Sequence, residues 1–278
     1  MQFGARTGPG TEDGDVTVTG NEYEQQTNNN MNRKLHVALV VLIISTMSLS
    51  AQQDCGTVKD YDGNVYRTVQ LGKQCWMAEN LRVTHFPDGT PLKLGVETSD
   101  TEKYYYYPNG DANNVGKFGL LYSWNTCLTG YKPTEEVPSG IQSICPSGWH
   151  LPSNFEWMGL EDFLGYKDEY RCGTDVNNVA KSMASKEEWK AGMGFMEQHP
   201  ECSIVDDLSK NNASGMNILP AGNFFHTLDG FGYDAGFWTA SDGSDVTSPI
   251  HHFYYTNATV EINCTPKEAA YSVRCLKD

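Results

Sequence analysis

The sequence predicts an α+β domain of short antiparallel strands with one or two helices, stabilised by disulfides. Three observations carry that expectation. Short apolar runs separated by Gly, Pro, Asn and Asp recur along the chain, the pattern of brief strands joined by turns. Only one stretch, residues 154–165, combines an apolar stripe at helical spacing with start and stop signals. The chain also carries 8 cysteines, all of them beyond residue 54. Strands and long helices do not alternate, which argues against a doubly wound α/β fold.

The amino terminus organises the rest. Asn32-Arg33-Lys34 precedes an apolar run from Leu35 to Leu49, and small residues follow as far as Ala51. A basic segment, about fifteen mostly apolar residues and a small-x-small exit describe a secretory signal peptide. A membrane span needs about 20 residues, so no stable span is expected in the mature chain. Cleavage is expected after Ser50 or Ala51. A lipid-anchor site is rejected, because the nearest cysteine, Cys55, follows Gln53-Asp54. Met31 is the expected start, which makes residues 1–30, polar and rich in Gly and Asn, a spurious or disordered extension. The expected organisation is therefore extension 1–30, signal peptide 31–51 and a single domain 52–278.

Charge narrows the partners. With 20 Lys and Arg against 35 Asp and Glu, the net charge is -15. Such a chain repels phosphate backbones and anionic lipid, so nucleic acid is excluded as the expected partner. Aromatic residues make up 12% of the chain, enough with its aliphatics for a core.

An even number of cysteines downstream of an export signal reads as a set of disulfides, so Cys55, Cys75, Cys127, Cys145, Cys172, Cys202, Cys264 and Cys275 are all candidates. Zinc is disfavoured, because no C-x2-C or C-x2-H spacing occurs. Proximity pairs Cys55 with Cys75 across a hairpin, and Cys172 with Cys202 across a long insertion. The remaining pairings stay open.

The strongest hairpin signal is Asp62-Gly63-Asn64 between Val58 and the run Val65 to Leu71. Trp76 and Met77 read as core. Tyr104 to Tyr107 read as a strand whose alternate rings face opposite sides. Ser153 with Glu156 three residues on has capping-box spacing, Trp157, Leu160 and Leu164 form one apolar face, and Gly165 offers a stop. A second short helix is expected from Val176 to Trp189. From Met216 onward the chain reads as strands and turns.

Several segments, in order, resemble the Fibrobacter succinogenes major paralogous domain. They are Asp62-Gly63-Asn64-Val65-Tyr66-Arg67-Thr68-Val69, Gln74-Cys75-Trp76-Met77-Ala78-Glu79-Asn80-Leu81, Cys145-Pro146-Ser147-Gly148-Trp149-His150-Leu151-Pro152-Ser153, Leu219-Pro220-Ala221-Gly222, Phe237-Trp238-Thr239-Ala240-Ser241 and Tyr271-Ser272-Val273-Arg274-Cys275. The resemblance covers about residues 55–278. It implies one exported bacterial domain, C-type-lectin-like in fold and akin to the formylglycine-generating enzymes, and located in the periplasm or at the outer surface of a Gram-negative cell. It brings no catalytic residues.

No G-x-S-x-G, H-E-x-x-H, Walker or Rossmann pattern occurs, so no enzymatic activity is expected. His251 and His252, adjacent in a strand, point to opposite faces and are not a shared metal site. Asp242-Gly243-Ser244-Asp245 could seat calcium, but reads first as a solvated turn. The Glu-Pro-Asn and Trp-Asn-Asp triplets of calcium-dependent lectins are missing: Pro108-Asn109 lacks the Glu, and Trp124-Asn125 is followed by Thr126. No cofactor is therefore expected.

Recognition of a carbohydrate or a surface protein remains, because aromatic faces beside Asp, Asn or Gln acceptors suit sugar rings. The candidate binding residues are Trp238 with Asp242 and Asp245, and His252 with Tyr254. The apolar run around Trp238 also fits a core position. Arg274 reads as a buried ion-pair donor. The alternatives are a structural component of the cell surface and an oxidase of the formylglycine-generating kind, which would need a reactive cysteine pair.

Overall fold

Asp60 draws the first turn together. Its carboxylate accepts the Asn64 backbone N–H at 2.9 Å, the Asn64 amide at 2.8 Å and the Tyr66 phenol at 2.5 Å. Gly63 supplies the left-handed residue that the turn needs, at φ 89°. Strand β1 (Thr57–Lys59) thereby pairs antiparallel with β2 (Val65–Leu71), as the Asp-Gly-Asn signal predicts. This is a computed structural model describing residues 55–192 and 199–278, which belong to one compact unit, Gln52–Asp278. The expected extension and signal peptide lie outside the described residues.

Strand β3 (Gln74–Met77) pairs back onto β2. Strands β4 (Lys93–Leu94) and β5 (Tyr104–Tyr106) run parallel, and β5 pairs antiparallel with β6 (Leu121–Ser123). The tyrosine run alternates as expected, with Tyr104 edge-on to Tyr106 and Tyr105 to Tyr107 at ring separations of 6.1 and 6.0 Å. Two single-turn helices, α1 (Val115–Phe118) and α2 (Trp124–Cys127), flank β6. Strand β7 (Trp149–His150) leads into α3 (Asn154–Gly165).

Helix α3 carries the capping box: Ser153 Oγ accepts the Glu156 N–H at 3.3 Å, and Glu156 accepts the Ser153 N–H at 2.9 Å. Trp157, Leu160 and Leu164 are its buried stripe. The helix includes Gly165 and closes on Tyr166, one residue past the expected stop.

The expected helix from Val176 to Trp189 is reduced to one turn, α4 (Ala180–Met183). Tertiary bonds outcompete it on both sides. The Cys172–Cys202 disulfide and the Cys172 N–H on Asn178 O hold the upstream chain, and Ser185 N–H and the Trp189 indole both donate to Ile218 O.

Strands β8 (Asn223–Phe225), β9 (Thr227–Asp229), β10 (Asp234–Trp238), β11 (Thr247–Tyr254), β12 (Glu261–Pro266), β13 (Ala270–Tyr271) and β14 (Leu276–Lys277) complete the described chain. They form three sheets, ordered β1-β2-β3-β14-β7, β4-β5-β6-β13-β8-β9 and β10-β11-β12. Apart from β4 with β5, every named pair is antiparallel. The fold is α+β and mostly sheet.

Trp76 packs on Trp157 at 4.6 Å, and Trp157 on Phe237 at 5.3 Å, in one core cluster. A second cluster gathers Tyr66, Met77, Trp238 and Tyr271. Both expected disulfides form, Cys55–Cys75 and Cys172–Cys202, and a third joins Cys145 to Cys275. Cys127 and Cys264 are free, which corrects the expectation that all eight cysteines are bridged. Three disulfides point to maturation in an oxidising compartment outside the cytoplasm.

Candidate binding cleft

Three loop-and-strand segments meet around Lys267. Its Nζ lies 4.3 Å from the centroid of the Trp124 ring, donates to Ser244 O at 2.7 Å and pairs with Asp242 Oδ1 at 2.6 Å. The backbone repeats the connection, with Lys267 N–H on Val246 O at 3.0 Å. Trp124 opens α2 directly after β6, and Lys267 leaves β12 just before β13, so pairing of β13 with β6 brings them together.

The Asp242–Asp245 turn closes on Thr247 O, which accepts from both Gly243 and Ser244. Gly243 packs closely there: an added Cβ would stand 3.2 Å from Thr247 O and 3.3 Å from Cys264 Sγ, so its neighbours would have to give by a few tenths of an ångström. The result is a cleft of about 500 Å³ whose walls include Trp124, Asn125, Asp245, Thr247, Pro266 and Glu268. Asp245 is solvent-exposed at the rim, and Val246 beside it is 71% exposed. The indole N–H of Trp124 is buried and finds no acceptor among the described residues. Carboxylates of Asp245 and Glu268 offer acceptors, while Pro266 and Val246 offer apolar surface.

The predicted binding residues separate into three places. Trp238 is fully buried; its indole N–H donates to Tyr122 O at 2.7 Å and Tyr271 stands edge-on at 5.2 Å. That corrects its assignment as a stacking platform, since neither ring face reaches solvent. Asp242 and Asp245 stand at the Thr247 end of β11, with Asp242 held by Lys267 and Asp245 on the cleft.

His252 and Tyr254 lie at the other end of β11, their rings 4.0 Å apart. The strand spans roughly 23 Å at about 3.3 Å per residue, so one sugar ring cannot touch both pairs. His252 Nε2 lies 3.5 Å from Asp234 Oδ1. Burial, with the charges of Asp234 and Glu261 nearby, pushes the Tyr254 phenol above its ordinary pKa.

His251 and His252 do face apart. His251 is enclosed between Glu161, at 2.6 Å, and Asn154, at 3.1 Å, and stacks on Trp157. Among the described residues, no group of three or more His, Cys, Asp and Glu side chains is placed to hold a metal ion. In the turn considered for calcium, Asp242 is paired with the Lys267 ammonium.

Sequence reasoning did not connect Trp124, Asn125 and Lys267. The available signal was the Trp124-Asn125 pair, set aside because the third residue is Thr126. Arg274 is buried as expected, but its partners are Asn80 Oδ1 and three backbone carbonyls, which corrects the expectation of an ion pair.

The family model of the Fibrobacter succinogenes major domain matches residues 69–277. The chain belongs to that family. The matched region runs from β2 to β14 and contains both the cleft and Arg274, so the site described here is built within the Fibrobacter succinogenes major domain itself. No curated protein and no solved structure matches the chain.

Proposed function

We propose that this domain is a secreted, non-catalytic recognition module of a bacterial cell surface, C-type-lectin-like in fold, and that it binds a glycan in the Trp124–Lys267 cleft. One observation carries the reading: a cleft of about 500 Å³ combines exposed carboxylate acceptors with apolar walls in a disulfide-bonded domain. Ring hydroxyls donate to Asp245 and Glu268, while the C–H patches of the sugar lie against Pro266 and Val246. Lys267 covers one face of Trp124 and the indole is buried, so Trp124 forms part of the wall rather than a stacking platform.

The state of the thiols supports a module without catalysis. An oxidase of the formylglycine-generating kind needs two accessible, reactive cysteines. Cys127 is fully enclosed, and burial pushes its thiol well above the ordinary value. A glycan array probed with the mature chain, with and without EDTA, tests the proposal. Binding in both conditions that falls in Asp245→Asn is expected; no glycan bound in either condition overturns it.

A second reading, a structural or assembly component of the cell surface, draws on the exposed apolar side chains of Met158, Tyr166, Val176 and Ile262. They gather at a hollow of about 240 Å³ beside Glu161 and Asp162. Co-purification of the chain in a cell-envelope assembly, combined with an empty glycan array, is the outcome that reading predicts.

A further inference from the structure

Another hollow, of about 330 Å³, is lined by Arg67, Glu79, Arg82, Lys117, Glu187 and Asn217. Its lining carries three cations against two carboxylates, in a chain of net charge -15. Glu79 serves two guanidiniums at once, Arg67 through Nε at 2.8 Å and Arg82 through Nη1 at 3.5 Å. Arg82 is fixed in place: Nη2 donates to Val65 O at 2.9 Å, and its guanidinium carbon lies 4.4 Å from the Tyr66 ring centroid. Arg67 is 65% exposed and meets Glu79 through Nε alone, so that among the described residues neither terminal nitrogen is hydrogen-bonded.

A third guanidinium stands behind the wall. Arg274 is fully buried and donates to Asn80 Oδ1, Met77 O, Met216 O and Asn217 O. All four acceptors are neutral, and no carboxylate among the described residues forms an ion pair with it. Burial lowers its pKa to about 9, with the charge of Glu79 pulling the other way. Asn217, whose carbonyl holds Arg274 Nη2 at 3.1 Å, is itself part of the lining. Glu79 pairs directly with Arg67 and Arg82 and acts on Arg274 only through its charge, so one carboxylate serves three guanidiniums. Lys117 adds a fourth cation and its partners Glu187 and Glu188 two more carboxylates, so four cations stand against three acids, an excess of one positive charge.

We propose that this hollow binds an oxyanion carried by a saccharide, either the carboxylate of a uronic acid or a sulfate ester. Guanidinium forks match planar carboxylates and sulfate edges through paired N–H donors. The incoming group supplies the negative charge that Glu79 alone does not, and it competes with Glu79 for Arg67. The choice of a saccharide rests on the recognition reading above; the choice of an anion rests only on this cluster.

Calorimetry on the full mature protein tests it, with a galacturonic acid trisaccharide, a sulfated disaccharide, a neutral galactose trisaccharide and inorganic sulfate as probes. Saturable binding of an anionic saccharide is expected, weakening as salt is raised, with no binding of the neutral trisaccharide here. The uronate and sulfate arms identify which oxyanion is taken. Arg67→Gln with Lys117→Gln, both exposed positions, should weaken binding by about tenfold, whereas Glu79→Gln should tighten it by removing the competitor. A merely structural ion network would weaken stability in both variants and would not move affinity in opposite directions.

Absence of saturable binding by either anionic saccharide at millimolar concentration overturns the proposal. So does affinity that is unchanged in the variants, and so does binding of inorganic sulfate alone. An empty glycan array with retained uronate or sulfate-ester binding would remove the first cleft and leave this one standing.

Discussion

The Nε2 atom of His150 lies 2.9 Å from a Glu156 carboxylate oxygen, with both side chains buried. On the other side of the ring, Nδ1 lies 2.7 Å from Asp278 Oδ1. Carboxylates at both nitrogens favour the imidazolium, which donates to each. Burial pulls the His150 pKa down, but the hydrogen bonds and charges of Glu156 and Asp278 together outweigh it, and the net shift is upward. The folded protein therefore holds this proton more tightly than the unfolded chain.

The stability that follows is fully present below the ordinary histidine value of about 6.5 and is lost as pH rises through the raised folded-state value. Denaturant midpoints measured across a pH series should fall over that window in the wild type, and fall less in Asp278→Asn. Glu156→Gln removes the charge of the buried pair while leaving an amide oxygen that can still accept the Ser153 N–H, at a cost of about 3 kcal/mol. A flat pH dependence would contradict the imidazolium.

Trp238 belongs to stability rather than recognition. Trp238→Ala should cost about 3–5 kcal/mol through cavity formation and loss of the donor to Tyr122 O. Trp238→Phe keeps most of the apolar contact and should cost about 1–3 kcal/mol. Chemical denaturation checks both, and glycan binding by the folded Trp238→Phe protein should be unchanged.

Lys267→Met removes the partner of Asp242, the bond to Ser244 O and the cation over Trp124. A loss of about 1–2 kcal/mol is expected, together with greater quenching of indole fluorescence by acrylamide as the Trp124 face opens. Unchanged stability and quenching would show that Lys267 does not organise the cleft.

The Cys145–Cys275 bridge closes a sequence separation of 130, against 20 for Cys55–Cys75. Loop-closure entropy makes the long bridge worth about 5 kcal/mol and the short one about 3. Paired Cys→Ala variants of each bridge, compared by denaturant midpoint, should rank in that order.

Local chemistry was legible in the sequence wherever neighbours decide the structure. Asp62-Gly63-Asn64 specifies its turn within a few residues, and Ser153 with Glu156 specifies the start of α3, because both sets of bonds close locally. The two short disulfides were legible for the same reason. The helix expected from Val176 to Trp189 failed because Ile218 O, far along the chain, takes the hydrogen bonds of Ser185 and Trp189.

The binding residues were grouped by sequence proximity, and β11 pulls them apart. A strand of eight residues carries the Asp242 turn at one end and His252 with Tyr254 at the other. The cleft itself joins Trp124 to Lys267 through the β6–β13 pairing, and the anion hollow places Arg67 near Arg274. Such long-range contacts leave no periodicity to read.

Export followed by oxidation of the domain underlies everything proposed for it, and mass mapping of unreduced peptides from natively expressed protein tests that directly. It predicts cleaved material with Cys55–Cys75, Cys145–Cys275 and Cys172–Cys202 bridged, Cys264 labelled in the native state and Cys127 labelled only after unfolding. An uncleaved leader on a chain with eight reduced thiols would contradict it.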